Sequence, residues 1–295
     1  MQHIRDNRTM KITVADRYAA FLVTYLPQFG AVATAGLGES AGPRIRPLEV
    51  AHSYAAGQPG ISLEFGVFRG ASINFIAKNF PSRQYYGFDS FEGFPDDGRS
   101  DWNQDFSTQG KLPSVPDNVK LIKGFFSDTL PGFLDHMKDS IKIINIDCDI
   151  YSSTKDIFNL MTERKLITPG IIISFDELIN YDGYLWNEMF AFFEMLEENQ
   201  LGFKCIAIHK NIRTIEETIL LKQSNSHPKW EADIASGFRQ QASVILTKEP
   251  LNMSALRTKY LKNKVKQVSE FLTSTQASAP KEILSTLKSE ASMNS

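Results

Sequence analysis

The stretch from Ile61 to Ser72 reads ISLEFGVFRGAS and is the clearest structural signal in the chain. Its first five residues are mostly apolar and predict a buried strand, and Gly66 and Gly70 permit a tight turn into a following helix. This order predicts a ligand above Gly66, close to the acidic Glu64. The acid argues against a pyrophosphate ligand, and the Gly-x-x-x-Gly spacing differs from the dinucleotide and P-loop fingerprints.

The composition is typical of a globular protein. The 295 residues are 42% hydrophobic and carry a formal net charge of -2. This content is enough for a large core, and the small net charge gives no electrostatic case for binding nucleic acid. Cys148 and Cys205 fit neither a disulfide framework nor a zinc motif, which indicates a cytoplasmic protein. Residues 1–17 are charged throughout and lack the apolar core of a signal peptide, so we expect none. Proline and glycine interrupt the uncharged run 18–38, so we expect no membrane span and no membrane partner.

From residue 61 onward, predicted strands and helices alternate, which favours an α/β fold with a parallel sheet and helices on both faces. The predicted strands are 61–65, 84–88, 119–123, 142–147, 170–175, 203–209 and 242–247, and the predicted crossover helices are 72–79, 129–139 and 154–164. An apolar helix over 184–198, with acidic residues on its outer side, and an irregular insertion over 210–240 complete this prediction.

The chain divides into three predicted parts. Residues 1–60 form an N-terminal helical extension with helices at 15–26 and 46–56, and it serves as a lid, as a structural cap or as a contact in a homo-oligomer. Residues 61–250 form the main domain, and 251–295 contain a basic helix and a flexible tail. The loop 89–118, rich in aromatic residues, is predicted to be functional because long loops often carry binding residues.

Acidic residues collect at the predicted carboxyl ends of the strands, where open parallel sheets bind ligands. Asp89 follows the second strand, 23 residues after Gly66, a distance that suits contact with ribose hydroxyls. Four more carboxylates follow the fourth and fifth strands: Asp147, Asp149, Asp176 and Glu177. Since alternate strand residues point the same way, we expect Asp147 and Asp149 to face one cleft. These oxygens suit a hard metal ion, or else some of them cap helices or bind the ligand directly.

Five sequence blocks together resemble the class I S-adenosylmethionine-dependent methyltransferases, and within them the macrocin O-methyltransferase family. The blocks are EFGVFRG (64–70), GFDSFEGFP (87–95), KGFFSDTLP (123–131), IDCDIYSST (146–154) and FDE (175–177). The resemblance implies a Rossmann-like methyltransferase fold, a doubly wound, mostly parallel seven-stranded sheet that ends in a strand hairpin. It also implies S-adenosylmethionine as cofactor and a small hydroxylated molecule, a sugar or a natural product, as acceptor.

The resemblance further assigns roles to single residues. The implied cofactor-binding residues are Glu64, Gly66, Ser72, Asp89, Ser90, Phe91, Phe125, Phe126 and Asp147. A divalent ion, Mg²⁺ or Mn²⁺, is implied at Asp147, Asp176 and Glu177, although the family usually has Asp-Asp where this chain has Asp-Glu. Asp149 is implied as the general base.

Several alternatives stay open at this stage. The enzyme could work without metal or methylate nitrogen, or the chain could bind a nucleoside without catalysis. A dehydrogenase is disfavoured by the missing third glycine of its fingerprint.

Overall fold

The computed structural model describes residues 12–32, 46–95, 105–208, 211–224, 238–256, 259–275, 279 and 283–284. The strands are β1 Ile61–Phe65, β2 Tyr85–Asp89, β3 Val119–Lys123, β4 Ile141–Ile146, β5 Ile172–Phe175, β6 Gly202–Ile208 and β7 Ala242–Thr247. The helices are α1 Val14–Gly30, α2 Arg46–Tyr54, α3 Ala71–Asn79, α4 Phe126–His136, α5 Tyr151–Glu163, α6 Glu188–Asn199, α7 Ile215–Ser224 and α8 Lys259–Thr275. None of the helices within these ranges is both long and apolar enough to cross a membrane.

The seven strands form one sheet in the order β3-β2-β1-β4-β5-β7-β6. The neighbours from β3 to β5 are parallel, and β7 is antiparallel to both β5 and β6. The predicted doubly wound, mostly parallel seven-stranded sheet is therefore confirmed. Its strand order reverses between β1 and β4, and the crevice at such a reversal is where open α/β sheets bind ligands.

The central strands are apolar runs because helices cover both faces of the sheet. All residues of β1 and β5 are buried. The predicted limits of β1, β3 and β7 agree with the structure to the residue, and the other strands differ by one or two residues. Helices α4 and α5 each begin three residues earlier than predicted, at Phe126 and Tyr151.

Helix α1 belongs to the main hydrophobic core. It begins with a capping box, in which Thr13 and Asp16 bond to each other's backbone amides. The ring of Phe21 is fully buried, and its centroid lies 5.3 Å from that of Phe193 on α6. The ring centroid of Phe29 lies 5.6 Å from that of Phe203 on β6. This packing makes α1 part of the structure that supports the sheet. The division into an extension, a domain and a tail stays a prediction.

The region after β5 differs from the prediction. A short 3-10 turn over Tyr184–Trp186 precedes α6, so the prediction of a single helix over 184–198 was wrong. The acidic residues are not all on the outer side, because Glu188 is fully buried. The insertion predicted to be irregular contains helix α7. Trp102 and His209 lie outside the described residues.

Candidate functional site

Gly66 lies at the carboxyl end of β1, where three strand ends meet. Its φ is +93°, and a Cβ atom there would lie 1.7 Å from the carbonyl oxygen of Asp147. The Gly66 N–H donates to the Phe88 carbonyl at 2.9 Å, and the Asp147 N–H donates to the Phe65 carbonyl at 2.9 Å. A glycine is therefore required here by the close approach of the chain after β4, whatever ligand the turn binds.

Asp89, at the end of β2, joins the turn after β1 to the loop after β2. One carboxylate oxygen accepts the N–H groups of Val67 at 2.8 Å and Phe68 at 2.7 Å. The other accepts the Phe91 N–H at 2.6 Å. A ribose would have to share these oxygens with the three amides. The role of Asp89 in ribose binding stays a prediction, and its role in shaping both loops is visible in the structure.

Glu64 is a buried acid inside β1. Its carboxylate accepts the Ser72 hydroxyl at 2.8 Å and the Asn145 amide at 3.1 Å. Burial raises the pKa of Glu64 to about 7, against the opposing effect of these hydrogen bonds, and the charge of Asp176 raises the pKa further. Glu64 and Ser72 are thus brought together as predicted. Asn145 was missed, although an amide inside an otherwise apolar predicted strand was a usable signal.

The predicted aromatic residues have different surroundings. Phe91 is fully buried and anchors the loop after β2 in a hydrophobic cluster. Phe126 is half-buried, and its ring packs edge-on against that of Phe65 at 5.4 Å. Phe125 exposes 39% of its surface at the end of β3. Ser90 is buried, and its hydroxyl donates to the Gly93 carbonyl at 2.7 Å. Of the three phenylalanine rings, that of Phe125 is the most accessible to a ligand.

Asp149 lies in a tight turn after β4. The strand ends at Ile146, so the alternation expected for Asp147 and Asp149 does not extend to them. Asp149 has φ +61°, and the Ile150 N–H donates to the Cys148 carbonyl across it at 2.7 Å. This bond between residues i and i+2 defines a γ-turn. Asp147 is half-exposed and Asp149 is buried, so the turn and not strand alternation sets their directions.

Asp149 and two acids after β5 act electrostatically on a further buried acid at the start of α6. Asp176 and Glu177 are buried directly after β5, and Asp176 accepts the Gln241 amide at 3.2 Å. Glu188 is the first residue of α6 and is fully buried. Burial holds the pKa of Glu188 well above its usual range, and the charges of Glu177, Asp149 and Asp176 raise that pKa further. Sequence reasoning missed Glu188, although an acid next to the apolar run MFAFF could have drawn attention to it.

The predicted metal ligands do not form a metal site as they stand. Asp147, Asp176 and Glu177 have the oxygen atoms that a hard cation prefers. Within the described parts of the chain, however, no group of three or more His, Cys, Asp or Glu side chains could hold a metal ion. The donor chemistry therefore suits Mg²⁺ or Mn²⁺, and the arrangement does not.

Comparison with known proteins identifies the central part of the chain. Residues 63–178 match a family described as a methyltransferase domain. A relative from Streptomyces olivaceus, 8-demethyl-8-(2,3-dimethoxy-alpha-L-rhamnosyl)-tetracenomycin-C 4'-O-methyltransferase, is 29% identical over 147 residues, which are 42% of this chain and 54% of the relative. The chain thus spans about half the length of this curated relative.

Solved structures of methyltransferases give weaker matches. CalS11, a TDP-rhamnose 3'-O-methyltransferase of calicheamicin biosynthesis, is 20% identical, with 64% of this chain and 87% of that chain covered and a TM-score of 0.40. TomG from Streptomyces achromogenes, an O-methyltransferase of tomaymycin synthesis solved with SAM, is 15% identical, with coverages of 81% and 92% and a TM-score of 0.41. The family match over 63–178 and the mostly parallel seven-stranded sheet agree with the predicted class I methyltransferase domain in this part of the chain.

Proposed function

We propose that this protein is an S-adenosylmethionine-dependent O-methyltransferase that acts on a hydroxyl of a small molecule, with a sugar-bearing natural product as the acceptor class. The observation that carries the proposal is the buried Asp149 in the turn after β4, beside the Gly66 turn. Because β1 and β4 are parallel neighbours, the turn and the acid lie at one edge of the sheet. The relative from Streptomyces olivaceus, named for methylating a rhamnosyl group, supports this acceptor class.

The residues around the Gly66 turn suit this cofactor. S-adenosylmethionine supplies a methyl group on a positively charged sulfur and also carries an α-ammonium group. With a pKa of about 7, Glu64 can ionise near neutral pH, and a nearby ammonium group would favour the ionised form. The exposed ring of Phe125 suits stacking against adenine.

Asp149 has the role of general base in this proposal. A neutral hydroxyl is a weak nucleophile, so a carboxylate within hydrogen-bond reach of it is needed to accept its proton. As the acceptor oxygen bonds to the methyl carbon, the carbon–sulfur bond breaks, its electron pair stays on sulfur, and the hydroxyl proton passes to Asp149. We assign no step to a metal ion, because no group of three or more His, Cys, Asp or Glu side chains in the described residues could hold one.

Binding and turnover test the proposal separately. Calorimetry should detect S-adenosylhomocysteine binding and no NAD binding, and NAD binding alone would overturn the methyltransferase assignment. Turnover is followed as S-adenosylhomocysteine formation with phenyl α-L-rhamnopyranoside as the probe acceptor. Binding without turnover of this probe would reject the rhamnoside acceptor class and leave the cofactor assignment standing. A chelator should leave the rate unchanged, and a loss that Mg²⁺ restores would bring the metal back into the mechanism.

Asp149→Asn should keep S-adenosylhomocysteine affinity and slow turnover by about 10² to 10⁴, the usual contribution of a positioned base. Asp156→Asn, which changes an exposed acid on α5, is the control and should retain the full rate. Equal rates in both variants would remove Asp149 from the mechanism.

A further inference from the structure

Asp149 is held in a backbone conformation that a non-glycine residue rarely adopts. Its φ is +61°, and it is the central residue of the γ-turn closed by the 2.7 Å bond from Ile150 to Cys148. A γ-turn with positive φ is strained, and such strain persists only where the surrounding structure over-determines it. The direction of the Asp149 side chain therefore depends on what holds this turn.

One such contact comes from a different element. The side-chain amide of Asn187 donates to the carbonyl oxygen of Asp149 at 2.8 Å, and both residues are buried. Asn187 is 38 residues further along the chain and directly precedes α6. The hydrogen bond thus ties the strained turn after β4 to the start of α6.

The Asn187 side chain makes this contact and does not cap the helix that it precedes. It occupies the N-cap position of α6, where an asparagine side-chain oxygen normally accepts a free N–H of the first turn. Its side chain forms no capping bond, and its Oδ1 atom is buried with no hydrogen-bond partner among the described residues. Both features cost stability. A contact kept at such a cost points to a role beyond folding.

We propose that Asn187 is a positioning residue, which fixes the direction of the Asp149 carboxylate by holding the Asp149 backbone in its turn. This inference rests on the proposed role of Asp149 as general base. A base must lie within hydrogen-bond reach of the proton that it takes, so relaxation of the turn would move the carboxylate away from the acceptor hydroxyl. Cofactor binding at the Gly66 turn does not depend on this contact.

Asn187→Ser separates positioning from folding. Serine caps helices as well as asparagine does but is too short to reach the Asp149 carbonyl, so thermal stability should be kept or raised. Hydrogen exchange of the Ile150 amide, which closes the turn, should become about tenfold faster, as expected for loss of one hydrogen bond. The kcat for phenyl α-L-rhamnopyranoside should fall at least about tenfold, with KM for S-adenosylmethionine unchanged.

Asn199→Ser is the matched control at the other end of α6. The Asn199 amide donates to the Thr162 hydroxyl at 2.9 Å and to the Met195 carbonyl at 2.8 Å, so the variant loses comparable bonds away from Asp149. Ile150 exchange and kcat should both stay at wild-type values.

The outcomes separate the inference from the proposed function. Unchanged Ile150 exchange in Asn187→Ser would overturn the positioning role, whatever the rate. Faster exchange with an unchanged kcat would overturn it as well. If the wild type fails to bind S-adenosylhomocysteine, the proposed function fails, and with it the positioning role that depends on it. If the wild type binds S-adenosylhomocysteine but does not turn over the probe, the rhamnoside acceptor class fails, and unchanged Ile150 exchange in Asn187→Ser would still overturn the positioning role.

Discussion

At the scale of single residues, Glu64 links the site to pH. Its pKa is about 7 in the folded protein, above the usual 4.5, because the carboxyl is buried. Between these values the unfolded chain has lost the proton and the folded protein keeps it, so stability falls as pH rises. As pH rises from about 4.5 to about 7, the ionisation of Glu64 in the unfolded chain should lower the free energy of unfolding by about 3 kcal/mol. Glu64→Gln cannot ionise and should not show this loss. The free energy of unfolding of the variant should therefore rise relative to that of the wild type between pH 5 and pH 8.

Denaturant unfolding at both pH values measures this difference. Glutamine can preserve the geometry, because its oxygen can accept from Asn145 while its amide donates to the Ser72 hydroxyl. Glu198→Gln, on an exposed position of α6, is the control and should follow the wild type at both pH values. A Glu64→Gln variant that also follows the wild type would contradict the raised pKa.

At the scale of elements, Gly66 controls how the ends of β1 and β4 meet. Gly66→Ala would drive a Cβ atom into the Asp147 carbonyl as well as straining a φ of +93°. We expect a loss of about 3 kcal/mol or more in unfolding free energy, because a backbone carbonyl cannot move aside as a flexible side chain can.

Gly170→Ala separates the two contributions to that loss. Gly170 has a similar φ of +91°, but its Cβ atom would meet nothing within 4 Å. This variant should lose only about 1 to 2 kcal/mol, the conformational cost alone. Thermal unfolding of both variants gives the comparison, and equal losses would show that the approach of Asp147 to Gly66 is not tight.

At the scale of the whole molecule, we expect α1 to unfold together with the sheet, because its buried residues belong to the same hydrophobic core. The ring of Phe21 is buried among Tyr18, Tyr25, Phe193 and Phe203, with ring centroids 5.3 to 6.1 Å away. Phe21→Ala should therefore cost about 3 to 5 kcal/mol, the usual penalty for removing a buried aromatic ring.

The shape of the transition decides how α1 contributes. We expect one cooperative denaturant transition that shifts to lower midpoint with Phe21→Ala and hardly shifts with Ile12→Ala, since Ile12 is exposed ahead of α1. Two separate transitions would show that α1 is a detachable lid.

Local sequence patterns were sufficient to predict the α/β class, the limits of β1, β3 and β7, and the carboxylates at the strand ends. Buried strands appear as short apolar runs between turn residues, and parallel strands carry their following residues to one edge of the sheet. These are local patterns, so they can be read without knowing which elements pack together. The five sequence blocks added the family resemblance, and the match over 63–178 agrees with it.

Contacts between elements far apart in the chain explain why Gly66 must be a glycine, where Glu188 lies and what Asn187 binds. The Asp147 carbonyl reaches Gly66 only because β1 and β4 are neighbours in the sheet. The N-capping preference of asparagine predicts a bond to its own helix, yet the Asn187 side chain bonds to the turn after β4. The partners of buried polar groups belong to elements far apart in the chain, and packing brings those elements together for reasons that no local pattern contains.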